Sequence, residues 1–111
     1  MTDRLIELVA EMDLSRPSFG TVPKLTPLYD GVGRRMVVVE LVNGDVLSKH
    51  KANEPISVLC IAGTGVFRAG EDLEDSQALA PGTLITLDAG IPHEVTADDW
   101  LRLLLTKFKQ Y

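Results

Sequence analysis

The sequence contains only one cysteine, Cys60, among its 111 residues. One thiol cannot form an intrachain disulfide, and it cannot supply a zinc site built from several cysteines. Disulfide-stapled domains and multi-cysteine zinc modules are therefore excluded. A single cysteine also fits a reducing compartment, so we expect the protein to be cytoplasmic.

Long hydrophobic runs are missing as well. The longest, "MVVVE" and "WLRLLLT", are too short to cross a bilayer. The N-terminal "MTDRLIELVAEMD" carries acidic residues among its apolar ones, so it lacks the uninterrupted apolar core of a signal peptide. The net charge of −5 argues against nucleic acid and anionic membranes as partners. These absences together predict a soluble protein.

The chain length fits one domain with one sizeable core. We divide it into an N-terminal helix and extended arm over residues 1–33 and a β-barrel over residues 34–111. The helix is expected over residues 3–12, where apolar residues recur at helical spacing and Thr2 or Asp3 can cap the first turn. Residues 13–31 are rich in proline, which predicts an extended segment that lies along a sheet edge or reaches a second subunit.

From Arg34 onward the pattern is β throughout. About eight short apolar or alternating segments are separated by glycine turns, which is typical of a sandwich or small barrel. We expect a hairpin turn at residues 43–45, "NGD", and another tight turn at residues 63–65, "GTG". The acidic "GEDLEDS" is expected to be a solvated loop. The leucine-rich C-terminal segment suits either a helix or a strand, and we favour a strand because a barrel needs a closing partner.

Two segments resemble the paired motifs of the cupin superfamily. In the first motif, a glycine is followed by His-x-His, a glutamate and a second glycine. Gly44, His50 and Gly63 match this pattern. The slot of the second histidine holds Ala52, and the glutamate slot falls on Ile56, or on Ser57 with the longer spacing.

The second motif places a histidine after two glycines and before an asparagine. Gly82, Gly90 and His93 match it, whereas Asp88 occupies the proline slot and Ala97 the asparagine slot. The chain is thus identified as similar to a small single-domain cupin with a degenerate metal-binding motif. The resemblance implies an all-β fold, a double-stranded β-helix or jelly-roll barrel, with a pocket inside.

Alternation along the strands predicts which residues line that pocket. If His50 points inward, Ser48 does too, while Leu47 points outward; Val46 and Ala52 then also face inward, and Lys49 and Lys51 outward. The same argument places Cys60 on the inner side of its strand. The candidate pocket residues are therefore His50, His93, Ser48 and Cys60.

Three functions remain open at this point. The first is a small-molecule binding protein without the full site of three histidines and a glutamate, because Ala52, Ile56 and Ala97 cannot ligate a metal. The alternative is a metal-dependent dioxygenase, isomerase or decarboxylase that holds iron, manganese, nickel or zinc. Its ligands would be His50 and His93, with Glu54 or Cys60 as an additional ligand.

The third function is structural, because small cupins commonly form dimers and the N-terminal arm could cover a sheet edge. We expect a homodimer under any of the three. No residue of the sequence identifies the ligand, and no catalytic residue can be named from it.

Overall fold

The computed structural model describes residues 5–12, 14–15 and 23–109. These residues form seven β-strands and no helix, so no helix in this part of the chain is long and apolar enough to cross a membrane. The strands are β1 (Lys24–Gly31), β2 (Arg34–Val42), β3 (Val46–His50), β4 (Ile56–Ala69), β5 (Asp75–Leu79), β6 (Leu84–Leu87) and β7 (His93–Phe108).

All strand pairs are antiparallel, and two long strands connect them. The order along the sheet is β1-β2-β7-β4-β5, while β3 also pairs with β7 and β6 also pairs with β4. β7 contacts β3 through its first half and β2 through its second half. In the same way, β4 pairs with β6 through its first half and with β5 through its second half. Each long strand therefore belongs to both halves of the structure.

The two halves are joined at a corner where β4 and β7 are irregular together. Gly63 pairs with Leu101 and Gly65 with Ala97, so three residues of β7 face one residue of β4 at this point. Such bulges bend a strand and increase its twist. The folded-over inner faces enclose one hydrophobic core, which draws residues from both halves: Val37, Val39, Leu41, Ile56, Val58, Cys60, Phe67, Leu79, Val95, Ala97, Leu101 and Leu103.

The corner requires glycine on β4. A Cβ on Gly63 would lie 2.1 Å from the carbonyl oxygen of Trp100, and a Cβ on Gly65 would lie 2.4 Å from that of Thr96. Gly63 also has a φ of +78°, which L residues rarely adopt. The β4 backbone can approach β7 this closely only because both positions lack a side chain.

Two turns predicted from the sequence are corner elements instead. Residues 63–65 lie inside β4, and residues 43–45 do not form a hairpin, because β2 and β3 do not pair with each other and both pair with β7. Asn43 and Gly44 have positive φ, and this turn lets the β2–β3 edge follow the bend of β7. The sequence predicted about eight strands, and the described residues form seven. β4 and β7 each combine two predicted strands because they continue through the corner, and β1 is a strand that was not predicted.

The predicted N-terminal helix is wrong for residues 5–12, which have no regular secondary structure. Residues 3–4 lie outside the described part of the chain. Leu5, Ile6 and Leu8 are 99%, 76% and 64% exposed. A short helix gains most of its stability from packing an apolar face, and these side chains have no such packing.

The outer segments of the barrel agree with the other expectations. The C-terminal segment is the strand β7 and not a helix. Within the proline-rich segment, β1 lies along the sheet edge as one of the two alternatives proposed, while residues 16–22 lie outside the described residues. The division at residues 33/34 and the homodimer stay predictions.

We predict that Gly63→Ala costs more than about 3 kcal/mol of unfolding free energy, because it adds a backbone clash to an unfavourable φ. Gly33→Ala is the matched control: its φ is +79°, but a Cβ there would meet nothing within 4 Å, so it should cost about 1–2 kcal/mol. Urea unfolding of the two variants measures both values. Equal losses would show that backbone conformation alone, and not close approach, requires the glycine.

Candidate functional site

Two histidine rings lie against each other at the end of the barrel opposite the corner. His50 on β3 and His93 on β7 are register partners. Their ring centroids are 4.3 Å apart, with an interplanar angle of 63°. Register partners of an antiparallel pair point to the same face of the sheet. The structure therefore brings together the two histidines that the sequence motifs indicated.

A β-bulge in β3 puts His50 opposite His93. Leu47 pairs with Val95, so regular pairing would place Lys49 opposite His93, but the register shifts between Leu47 and His50. Alternation counted back from His50 was therefore wrong, since Leu47 packs against the core instead of pointing outward. A bulge inserts one residue, and the period of two breaks across it.

The bulge also decides where Ser48 lies. Ser48 is exposed, and its carbonyl oxygen accepts a hydrogen bond from Nδ1 of His50 at 2.6 Å. Val46, also expected on the inner wall, is 42% exposed, whereas Ala52 packs against the core as expected. A ligand-binding role for the Ser48 hydroxyl stays a prediction.

Backbone carbonyls orient both rings. Nδ1 of His93 donates to the carbonyl oxygen of Ile91 at 2.9 Å, in the same way that Nδ1 of His50 donates to Ser48. Because a carbonyl oxygen only accepts, Nδ1 carries the proton in the neutral form of each ring. Nε2 is then the acceptor, so each neutral ring can receive a hydrogen bond from a ligand hydroxyl or amine.

His93 is the buried member of the pair, with 4% of its surface exposed. The ring of Phe67 stacks on it at a centroid distance of 5.5 Å and an interplanar angle of 12°. Burial lowers the pKa of His93 below its ordinary value, and the positive charges of His50 and Lys107 lower it further, against the opposing effect of the Ile91 carbonyl. His93 is therefore a neutral imidazole near pH 7.

Cys60 does not lie with the histidines. It pairs with Leu103 next to the corner, whereas the residue of β4 opposite His93 is Ala69. The thiol is 1% exposed, and its Sγ lies 3.6 Å from the carbonyl oxygens of Ala62 and Gly63. Burial raises its pKa, so the thiol is protonated near neutral pH. Its position is that of a small apolar side chain in the core.

The residues at this end do not fit the four-ligand metal site that the resemblance implies. Ile56, in the glutamate slot, is 2% exposed in the core, and Ala52, in the slot of the second histidine, packs against it. Glu54 is half-buried in the connection between β3 and β4. Across the described residues, no three His, Cys, Asp or Glu side chains lie together in a way that could hold a metal ion. The structure thus offers a histidine pair without a third protein ligand.

A cleft of about 190 Å³ opens beside the stacked ring of Phe67. Ala69, Ile85 and Leu87 contribute apolar surface that packs against the core. Its full lining is Phe67, Ala69, Asp75, Ser76, Gln77, Ile85, Thr86 and Leu87. Since Ala69 is the register partner of His93, the cleft begins one strand away from the histidine pair.

Asp75 and Gln77 are polar residues of this cleft that the sequence analysis missed. Asp75 was placed in a solvated loop, but it starts β5 opposite Ala69, and Gln77 lies opposite Phe67. Both therefore point to the same face as the buried Leu79. The alternation within "DSQAL" was the signal that could have found them.

Lys107 is a second residue that the sequence analysis missed. Leu101, Leu103 and Leu105 pack in or against the core, and uninterrupted pairing with β2 continues this face to Lys107. Its positive charge is one of the causes that lower the pKa of His93. Leu87, which lies in the same cross-strand row as Lys107, lines the same cleft as Ala69, the register partner of His93. We call this region the mouth. Two cross-strand rows form it: His50, His93, Ala69 and Asp75 on one side, and Arg35, Lys107, Ile56 and Leu87 on the other.

No family model matches the chain, and no curated protein is significantly similar to it. Solved structures do match. A conserved protein of unknown function from Streptococcus pyogenes is 21% identical with a TM-score of 0.76, over 96% of this chain and 92% of that one. A cupin superfamily protein from Desulfitobacterium hafniense is 13% identical with a TM-score of 0.73, over 98% and 94%.

A cupin domain from Bordetella pertussis shows the same likeness, at 14% identity and a TM-score of 0.68, over 85% of this chain and 100% of that one. Identities this low carry information about the fold alone. Together with the seven-stranded antiparallel barrel and the two motif histidines, these matches show that the chain is a small protein with the cupin fold.

Proposed function

We propose that the protein binds a small organic molecule in the mouth of its barrel, through His50 and His93 and without a metal ion. The observation that carries this proposal is the contact between the two rings, which lie 4.3 Å apart with both Nδ1 atoms held by backbone carbonyls. The arrangement leaves one Nε2 acceptor on each of two neighbouring neutral rings. Small-molecule sites usually combine a few precisely placed polar groups with apolar surface.

The surroundings of the pair support a small ligand. The Phe67 ring stacks on His93 and also lines the cleft, so apolar surface continues from the imidazole into the cleft. The cleft volume of about 190 Å³ lies below the range of roughly 300–1,000 Å³ typical for drug-sized molecules. A compact molecule with one apolar part and one or two polar groups fits these dimensions.

The metal-dependent alternative lacks a ligand set. Two neutral imidazoles make a weak and poorly selective site, since stable catalytic metal sites generally have three protein ligands. Ala52 and Ile56 bring no donor atom to the two remaining slots. An organic molecule can hydrogen-bond to the two imidazoles without any further protein ligand.

We predict that ligands found in a library of small organic molecules bind at least tenfold more weakly to His50→Gln and His93→Gln, since each loses an oriented acceptor nitrogen. Ligand-detected NMR followed by titration measures the affinities. Glu94→Gln is the control, because Glu94 is adjacent to His93 on β7 but points to the opposite face. Ligands whose affinity is the same in all four proteins would contradict binding at the histidine pair.

The lowered pKa of His93 predicts a pH dependence of stability. The unfolded chain takes up a proton near pH 6.5, while folded His93 does so only at lower pH. The contribution of neutral His93 is thus complete above about pH 6.5 and declines as the pH falls from there through the folded pKa. His93→Gln should flatten this decline in thermal melts.

NMR titration of the imidazole protons gives the pKa directly. In His50→Gln the pKa of His93 should rise, because the charge of His50 no longer opposes protonation. A His93 resonance that titrates at or above pH 6.5 in the unmodified protein would contradict the predicted order.

We expect no stoichiometric metal uptake. After removal of metal and separate exposure to iron(II), manganese, nickel and zinc, fewer than one ion per chain should survive gel filtration, because the histidine pair has no third protein ligand. Elemental analysis counts the ions. One ion per chain that disappears in both His50→Ala and His93→Ala would favour the metal-dependent enzyme instead.

A further inference from the structure

We infer that the ligand of the mouth is a small hydroxycarboxylate, whose carboxylate pairs with Lys107 and whose hydroxyl donates to the histidine pair. This inference rests on the proposed function and adds the chemical class of the ligand. It starts from Lys107, a cation on the inner face of the barrel that neither the motifs nor the core requires.

The register fixes the position of Lys107. Its partners are Ile56 on β4, a core residue, and Arg35 on β2. It follows Leu103 and Leu105 on the face that packs in the core, so its side chain leaves the strand on the inner side. Leu87, in the cross-strand row of Lys107, and Ala69, the register partner of His93, line the same cleft, so the two rows face each other across the mouth.

Lys107 forms no ion pair with a carboxylate in the described part of the chain. Among residues 5–12, 14–15 and 23–109, the ion pairs are those of Arg102 with Glu40 and of Lys109 with Asp30. Lys107 is half-buried, and its neighbour on β2 is Arg35, whose positive charge faces Asp30 on β1. A partly desolvated ammonium without a counter-charge favours an anion from solution.

The histidine side of the mouth favours a ligand group that donates a hydrogen bond. In its neutral form an imidazole with Nδ1 protonated presents Nε2 as an acceptor and repels a carboxylate oxygen placed against that nitrogen. A ligand that meets both sides therefore combines an anionic group for Lys107 with a hydroxyl for His50 and His93. Since the rows of Lys107 and His93 border one cleft of about 190 Å³, the two groups belong close together on the ligand.

The cleft has room for the remainder of the molecule. Lys107, Ile56 and Leu87 are successive residues of one cross-strand row, so the cleft wall at Leu87 lies two strands, or roughly 10 Å, from Lys107. The branched apolar stem of a molecule with about nine heavy atoms fits between Phe67 and Ile85 within the cleft volume.

The test uses three probes that differ by one group each. They are 2-hydroxy-4-methylpentanoate, its uncharged amide 2-hydroxy-4-methylpentanamide, and 4-methylpentanoate, which lacks the hydroxyl. Backbone chemical shifts of the isotope-labelled protein locate the binding site and give the dissociation constants. We expect the hydroxycarboxylate to bind in the mouth and each of the other two compounds to bind about tenfold or more weakly.

Variants of the protein show which side of the mouth is responsible for each loss of affinity. Lys107→Met should weaken the hydroxycarboxylate about tenfold and leave the amide unchanged, while Lys24→Met, at the exposed start of β1, should change neither. His93→Gln should weaken the hydroxycarboxylate and the amide equally. The amide spectra show whether each variant remains folded, because that compound does not depend on Lys107.

Two results would overturn the inference. If the amide and the carboxylate bind equally in the mouth and depend on His93 but not on Lys107, the carboxylate assignment fails while the proposed function stands. If neither compound shifts residues of the mouth at 10-fold excess over about 1 mM protein, a small hydroxycarboxylate is excluded, and the library measurement decides the proposed function separately.

Discussion

The close approach of β4 to β7 at the corner is the constraint on which the rest of the structure depends. Gly63 and Gly65 let the two backbones come nearer than any side chain would permit. With this contact made, both long strands fold over together, their inner faces enclose one core, and their far ends meet. The mouth is formed by the cross-strand rows of His93 and Lys107, which lie near opposite ends of β7 and border the same cleft.

The chemistry of the mouth follows from that meeting. One side supplies two imidazoles whose Nδ1 atoms donate to backbone carbonyls, and the other supplies Lys107, which forms no ion pair among the described residues. Phe67 stacks on His93 and extends apolar surface into the cleft. Two kinds of polar group and one apolar wall are thus held at fixed separations by strand register, which is more rigid than a loop.

The sequence predicted the parts of this arrangement that depend on residue type and local period. Glycine spacing and β-branched segments indicated the barrel, and His50 and His93 were found from the motifs. The bulge in β3 was not predicted, because inserting one residue between Leu47 and His50 changes no residue type. Lys107 was missed because a strand continuing past the core looks the same as one turning into solvent. The helix over residues 3–12 failed because local spacing does not reveal whether a partner surface exists.

The two histidines are held very differently. His93 is buried on a strand paired on both sides, whereas β3 pairs only with β7 among the described strands and carries its histidine exposed. A strand with one neighbour opens and shifts at lower free energy than one with two. The histidine pair therefore combines a rigidly held imidazole, that of His93, with one on a strand that shifts more easily, that of His50. Under the proposed function, substitutions along β3 change which ligand is bound while the corner and core stay unchanged, so binding and folding can vary independently in this barrel.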